Sequence, residues 1–408
     1  MTLGVVVRLR SIGWAVLAGL VVAALVGSEA LVFATLAAAA LAVLVVVSRR
    51  RIFAGFAFSR LPASRVVPWG ARLDVTVSAT NAKLLPMIWL RVSDLWPAGV
   101  EAQGFALSPV PAHRGQRFSQ TLSLRWYERV RRHYRVRCTM RGLHDFGPAE
   151  LEAGDPFGVA GVTRLVDDVE RVVVLPKVLA VPTLDVVLGR PLFETPVERS
   201  LAHDPVDLRG IRPYRPGDPL RAVNWRATAR RRALQTNESG PTALGAVKLL
   251  LDVRVRERAW EGVDPERVEL LCVVAASLAA AFAERGLAVG VASNASLAGE
   301  ARALDVEPDE GALDEVLEGL ARVLSLPPAD FGALLQAQLA DVEAAADCVL
   351  VVPALRAPDR DLVATLRAER GASVVYVGDP APDERSLVDA VVPSDFAWRA
   401  RDELTFVA

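Results

Sequence analysis

The sequence predicts a multidomain chain: an N-terminal transmembrane helical hairpin, a small antiparallel β-sandwich and a C-terminal doubly wound α/β domain. Three observations lead there. Two uncharged runs, residues 12–27 and 30–47, stand at the N-terminus. Apolar and polar residues then alternate with period two. Toward the C-terminus, short continuous apolar runs alternate with helical stretches. The boundaries read as 1–52 for the hairpin, 53–175 for the β-domain, 176–242 for a linker and 243–408 for the α/β domain.

Composition narrows the function classes. The chain has 408 residues, 52% apolar, with 47 Lys+Arg against 48 Asp+Glu. So apolar a chain buries enough surface to offset its conformational entropy, which excludes intrinsic disorder. Three cysteines cannot build a disulfide framework. The lysines are Lys83, Lys177 and Lys248, and none stands in a GxxxxGK[ST] loop, which excludes a P-loop ATPase.

The two N-terminal runs hold 16 and 18 residues. As helices they reach roughly 24 and 27 Å, a little short of a hydrocarbon core of about 30 Å. Ser28 and Glu29 separate them, as a tight hairpin requires. Arg8 and Arg10 precede the pair and Arg49 to Arg51 follow it. The positive-inside rule then makes this a multi-pass protein of the cell membrane with both termini cytoplasmic. The alternative, a cleaved signal peptide followed by one anchor, leaves Arg49 to Arg51 on the translocated side.

The middle segment reads as strands. Leu73–Asn81, Phe118–Trp126 and Tyr134–Met140 alternate apolar and polar residues, apart from Gln120. Glycines and prolines at 69–70, 97–99, 114–115 and 141–142 break the runs, and Asp155-Pro-Phe-Gly158 reads as a turn. His113, His133 and His144 lie here at spacings that match no zinc pattern, so no metal and no cofactor is assigned.

Residues 201–234 carry eight Arg against three Asp. Pro216-Gly217 suits the centre of a type II turn, and Asp218-Pro219 an N-cap followed by Pro at the first helical position. A short helix is expected to about Arg230, with Ala222, Trp225 and Ala229 on one face and Arg226 and Arg230 on another. The candidate residues are Arg212, Tyr214, Gly217, Asp218, Arg221, Asn224, Trp225, Arg226 and Arg230. They serve either to bind a partner or to form a polar network between domains, in which planar Arg pairs with Asp and stacks on Trp. The near-neutral chain argues against nucleic acid.

The string from Arg212 to Arg230, RPYRPGDPLRAVNWRATAR, resembles the signature of the domain of unknown function 58 (DUF 58) family. Arg141-Gly142 and the stretch from Phe146 to Gly158 are similar to the same family's pattern. The resemblance implies a membrane-anchored protein with a von Willebrand factor A-like C-terminal domain. It also implies a MoxR-type AAA+ ATPase as partner; the family's molecular activity is not established.

In the last segment, Val247–Asp252, Leu287–Ala292, Cys348–Val352 and Ser373–Val377 read as buried strands. Residues 265–285, 313–324, 331–346 and 358–369 read as helices between them, giving a parallel, doubly wound sheet. The A-domain resemblance implies magnesium held by an Asp-x-Ser-x-Ser motif after the first strand. This sequence has Asp252, Arg254 and Arg256 there, and Pro353-Ala-Leu355 after the 348–352 strand supplies no Asp. The metal site is therefore expected to be degenerate, with Arg254 or Arg256 paired to Asp252 or to an acidic partner. Residues 251–408 hold 29 acidic residues and 14 Arg, and the chain has no His after His203. The expectation is a non-enzyme: a scaffold or adaptor acting through protein–protein interaction with the ATPase in assembly or cell-envelope processes. The alternative is an unrecognised enzyme using Asp252 and neighbouring Arg residues.

Overall fold

A computed structural model describes residues 14–406 except 15, 20, 23–24, 111–114, 155–160, 183, 185–207, 214–227, 229, 231–233, 240–244, 256–263, 301–302, 326–328 and 342–345. The protein is mostly β-sheet, in several sheets. It divides into two compact units, Met1–Thr139 with His144–Val172, and Met140–Leu143 with Val173–Ala408.

The expected fold class is corrected at its first element. The second apolar run forms helix α1 (Glu29–Arg51). No helix among the described residues is long and apolar enough to cross a membrane. This overturns the transmembrane hairpin, the membrane keywords and the multi-pass cell-membrane location with cytoplasmic termini. The physical reason lies inside α1, which carries Glu29 in its first turn and Arg49 to Arg51 in its last. The uncharged stretch between them, residues 30–48, measures roughly 28 Å, less than a core of about 30 Å.

In the first unit, β1 (Phe56–Pro62), β3 (Arg72–Asn81), β5 (Val100–Gln103) and β8 (Arg129–Cys138) form an antiparallel sheet ordered β1-β3-β8-β5. A second antiparallel sheet, ordered β11-β10-β4-β7-β6, uses β4 (Met87–Pro97), β6 (Ser108–Val110), β7 (Gly115–Leu124), β10 (Ala149–Gly154) and β11 (Gly161–Val166). The further short strands are β2 (Val66–Val67), β9 (Gly142–Phe146) and β12 (Glu170–Val174). Along β3 the pleat sends Leu73, Val75, Val77 and Ala79 inward. Trp96 is fully buried, stacked on Phe118 at 4.8 Å and edge-on to Phe105, Tyr134 and Phe146. Its indole N–H donates to Asp94 Oδ2 at 2.7 Å, and Asp94 also pairs with buried Arg60. Burial raises the Asp94 pKa against the opposing pull of Arg60.

In the second unit, β13 (Leu208–Pro213) and β14 (Gln235–Ser239) make an antiparallel ribbon. A six-stranded sheet follows in the order β17-β16-β15-β18-β19-β20, from β15 (Ala246–Leu251), β16 (Ala288–Ser293), β17 (Leu304–Asp309), β18 (Asp347–Val352), β19 (Ser373–Val377) and β20 (Ala390–Val392). The sheet is mixed rather than parallel, because β17 runs antiparallel to β16. Only residues 294–303 join those two strands, and a parallel crossover needs about a dozen residues or more. Helices α2 (Pro265–Glu284) and α3 (Leu313–Arg322) share one core with Leu249, Leu251, Val349 and Val351. Helices α4 (Phe331–Ala340) and α5 (Ala357–Arg370) bring Phe331, Leu335, Val363 and Leu366 into another core with Leu250, Leu350 and Val352. Adjacent strand residues thus serve opposite faces, and both faces of the sheet are covered by helices.

Two cations pin this unit internally. Arg141 Nη1 donates to the carbonyls of Leu320 and Val323, both at 2.9 Å, at the C-terminus of α3. Its Nη2 pairs with Glu269 of α2 at 3.1 Å. Lys248, on the central strand β15, is buried and reaches Asp305 at 2.9 Å and Glu307 at 2.7 Å on β17.

Candidate functional site

Strand β15 is paired in parallel with β16 on one side and β18 on the other, so the strand order reverses there. The carboxyl ends of the strands flanking such a reversal open a crevice, the usual ligand position in an α/β sheet. Asp252 is the first residue after β15, at that carboxyl end.

Its side chain organises the following turn. Asp252 Oδ1 accepts the backbone N–H of Arg254 at 3.0 Å, a local Asx-type bond that folds the chain back on itself. The Arg254 guanidinium thereby returns onto the same carboxylate, with Nε 3.0 and 3.1 Å from Oδ1 and Oδ2 and Nη2 3.0 Å from Oδ2. Nη2 also donates to Asp359 Oδ2 at 2.6 Å, and Nη1 to Asp330 Oδ1 at 3.2 Å. The Phe331 ring lies under the guanidinium, 5.5 Å from centroid to Cζ. Asn294, the residue after β16, donates from Nδ2 to Asp252 Oδ1 at 2.8 Å and accepts the Val253 N–H at 3.1 Å.

Three carboxylates and one guanidinium meet at this point. Asp252 and Asp359 are 1% and 3% exposed, and Arg254 is 8% exposed. Asp330 precedes α4 and Asp359 lies in the first turn of α5, where the positive end of each helix dipole favours a carboxylate. Burial opposes the Arg254 charge, but the hydrogen bonds and charges of Asp252 and Asp359 outweigh it and hold the guanidinium pKa above its usual value. Ser293 contributes no loose hydroxyl: its Oγ donates to Leu251 O at 3.0 Å and accepts the Ala295 N–H at 3.2 Å.

The magnesium that the resemblance implies does not fit these residues. Arginine replaces both expected hydroxyl ligands, and the Arg254 guanidinium fills the space between Asp252 and Asp359. Residues 353–355 supply no Asp, but Asp359 of α5 accepts from the same Arg254 Nη2 as Asp252 does. Arg256 lies outside the described residues. Sequence reasoning did not find Asn294, Asp330 or Asp359. The available signal was position, since one follows a strand end and the other two stand at helix starts.

The Arg/Trp segment is described only at its margins. Arg212 lies in β13 opposite Thr236 of β14. Arg230 is helical and exposed. Tyr214, Gly217, Asp218, Arg221, Asn224, Trp225 and Arg226 lie outside the described residues, as does His113. Cys138, Cys272 and Cys348 are buried free thiols, each pushed by burial up to about 11. A separate cleft of about 380 Å³ runs between β17 and α3, lined by Glu300, Asp305, Glu315, Glu318 and Arg322 among others.

Comparison with known proteins gives one family and distant relatives. Residues 210–387 match the family described as "Protein of unknown function DUF58". The chain is similar to the uncharacterized protein YeaD of Bacillus subtilis (strain 168), 26% identical over 232 residues, which cover 55% of this chain and 52% of that protein. The match thus spans about half the length of that relative. Among solved structures, the CARDB domain of a Pyrococcus furiosus protein covers 29% of this chain and 91% of its own, with 11% identity and a TM-score of 0.21. A cohesin module from a Clostridium perfringens family 33 glycoside hydrolase covers 29% of this chain and 96% of its own, with 10% identity and a TM-score of 0.21. Likenesses this slight bear on neither fold nor function.

Proposed function

We propose that the protein is a non-catalytic scaffold or adaptor, with its second unit as a preset, carboxylate-rich interaction module. One observation carries this reading. Asp252, at the position where an α/β sheet presents its chemistry, is saturated: it accepts from the Arg254 N–H, the Arg254 guanidinium and Asn294. A carboxylate holding that many donors has no free lone pair with which to take a proton from a substrate. Arg254 cannot act as a base, since guanidinium stays protonated.

Charge supports the choice of partner chemistry. Among the described residues, the cleft beside β17 is lined by Glu300, Asp305, Glu315 and Glu318, with Arg322 paired to Glu300 and Glu318. Residues 251–408 are acidic throughout, with 29 carboxylates against 14 Arg. Such a surface steers basic segments of a partner toward it and suppresses acidic ones. The family resemblance suggests a MoxR-type AAA+ ATPase as the protein bound, with the Arg/Trp segment as a second contact.

The test combines purified full-length chain with a purified MoxR-type ATPase and measures complex formation by calorimetry. Native protein and Asp252→Asn should bind alike, while Arg221→Ala and Arg226→Ala, checked for folding by circular dichroism, should bind at least tenfold more weakly. Equal binding by the native protein and all three variants would remove the Arg/Trp contact. Substrate turnover by the chain alone, abolished in Asp252→Asn, would replace the scaffold reading with the enzyme one.

A further inference from the structure

We infer that Arg254 is a tethered cation: its guanidinium permanently occupies the place between the buried carboxylates of Asp252 and Asp359 that a divalent ion would need, so this face of the second unit is set without a metal. The inference concerns how the face is built and stands whether or not a partner docks on it.

Three features argue for a cation built into the design. Asp252 Oδ2 and Asp359 Oδ2 converge on one atom, Nη2, at 3.0 and 2.6 Å. Two buried carboxylates brought that close repel each other unless a positive charge lies between them. The chain also makes room for the approach. A Cβ at Gly332 would lie 3.0 Å from Asp359 Oδ1 and 3.4 Å from Asp330 Oδ2, so glycine lets α4 sit against both carboxylates. Finally, the acids come from three separate places, the end of β15, the start of α4 and the start of α5. The one guanidinium reaches all three, Asp252 and Asp359 through Nη2 and the exposed Asp330 through Nη1. The flat guanidinium adds what a bare ion cannot, its stacking on Phe331 at 5.5 Å.

Removing the guanidinium leaves a formal −2 on the two buried carboxylates, Asp252 and Asp359, the donor type that hard divalent cations prefer. The arginine should therefore be exchangeable for a metal, and only in its absence. The experiment uses the full chain, with manganese chloride as the only added ligand, read by calorimetry, electron paramagnetic resonance of bound Mn²⁺ and thermal unfolding. The native protein should bind no Mn²⁺ in the crevice and melt at the same temperature in millimolar Mn²⁺ or in chelator. Arg254→Ser should melt several degrees lower in chelator, bind one Mn²⁺ and regain most of the lost melting temperature. Adding Asp359→Asn to Arg254→Ser should abolish both binding and rescue.

Two results overturn the inference: Mn²⁺ bound by native protein and lost in Asp252→Asn, or a folded Arg254→Ser that ignores Mn²⁺. Should Arg254→Ser fail to fold in chelator, refolding decides. Folded protein recovered only with Mn²⁺ supports the inference, and none recovered with Mn²⁺ refutes it.

Discussion

The Arg254 guanidinium reaches Asp359 across 105 residues of sequence, with Nη2 2.6 Å from the carboxylate oxygen. Both groups are withdrawn from water, at 8% and 4% side-chain exposure. The pair therefore fastens the start of α5 to the end of β15 at the point where the sheet reverses its strand order. Breaking a buried pair from one side leaves the other charge uncompensated, at a cost of about 3–5 kcal/mol. Asp359→Ala should lower the urea midpoint of the second unit accordingly, with the far-ultraviolet signal of the folded state unchanged before the transition. A loss under about 1 kcal/mol would mean that Asp252 alone satisfies the arginine.

Arg141 makes a different kind of fastening. It caps carbonyls at the end of α3 and meets Glu269 on α2. Arg141→Met keeps much of the side-chain volume and removes every one of these bonds. The expected cost is about 2–4 kcal/mol, from orphaned carbonyls and a half-paired carboxylate. Hydrogen exchange should quicken first in the last turn of α3, before it does in α5.

Glu269 gives the second unit a pH signature. Burial raises its pKa above the ordinary value of 4.5, against the opposing charge of Arg141. The folded carboxyl thus holds its proton more tightly than the unfolded one. Its contribution to stability is complete below the ordinary carboxylate range and is lost as pH rises through the raised value. Glu269→Gln lacks this titration. The melting temperature of native protein relative to Glu269→Gln should be highest near about pH 4 and fall by about pH 7. A constant difference across that range would show that the carboxyl titrates alike in both states.

The thiols supply a further check. With pKa values pushed up to about 11, Cys138, Cys272 and Cys348 have very little thiolate at pH 8. Their reaction with iodoacetamide should be at least about two-hundred-fold slower than that of a free cysteine, before any loss from burial. Labelling should reach three equivalents only in denaturant. Rapid labelling of one site in native protein would locate a local opening.

How far the sequence foretold the structure depends on where each piece of information resides. Strands β3 and β8 were legible because one face of each meets the core, which writes a period-two pattern into residues 73–81 and 134–138. The direction of β17 was not, because it is set by the ten-residue connection 294–303 rather than by the strand's own side chains. The N-terminal runs misled because absence of charge was weighed more heavily than length. The second run, bounded by Glu29 and Arg49, falls just short of a hydrocarbon core of about 30 Å. At the site, Asp252 and Arg254 could be found because they are two residues apart at a strand end. Asn294, Asp330 and Asp359 come together only once the sheet order is known, and no local pattern encodes that order.

The commitment of the three lysines has a practical side. Lys83 donates to the carbonyl of Ile52, Lys177 to those of Trp398, Arg399 and Arg401, and Lys248 to carboxylates of β17. Succinimidyl esters and other amine-directed cross-linkers will therefore find few side-chain handles on this molecule and will under-report its complexes. Carbodiimide activation of its abundant surface carboxylates is the coupling chemistry suited to capturing whatever binds it.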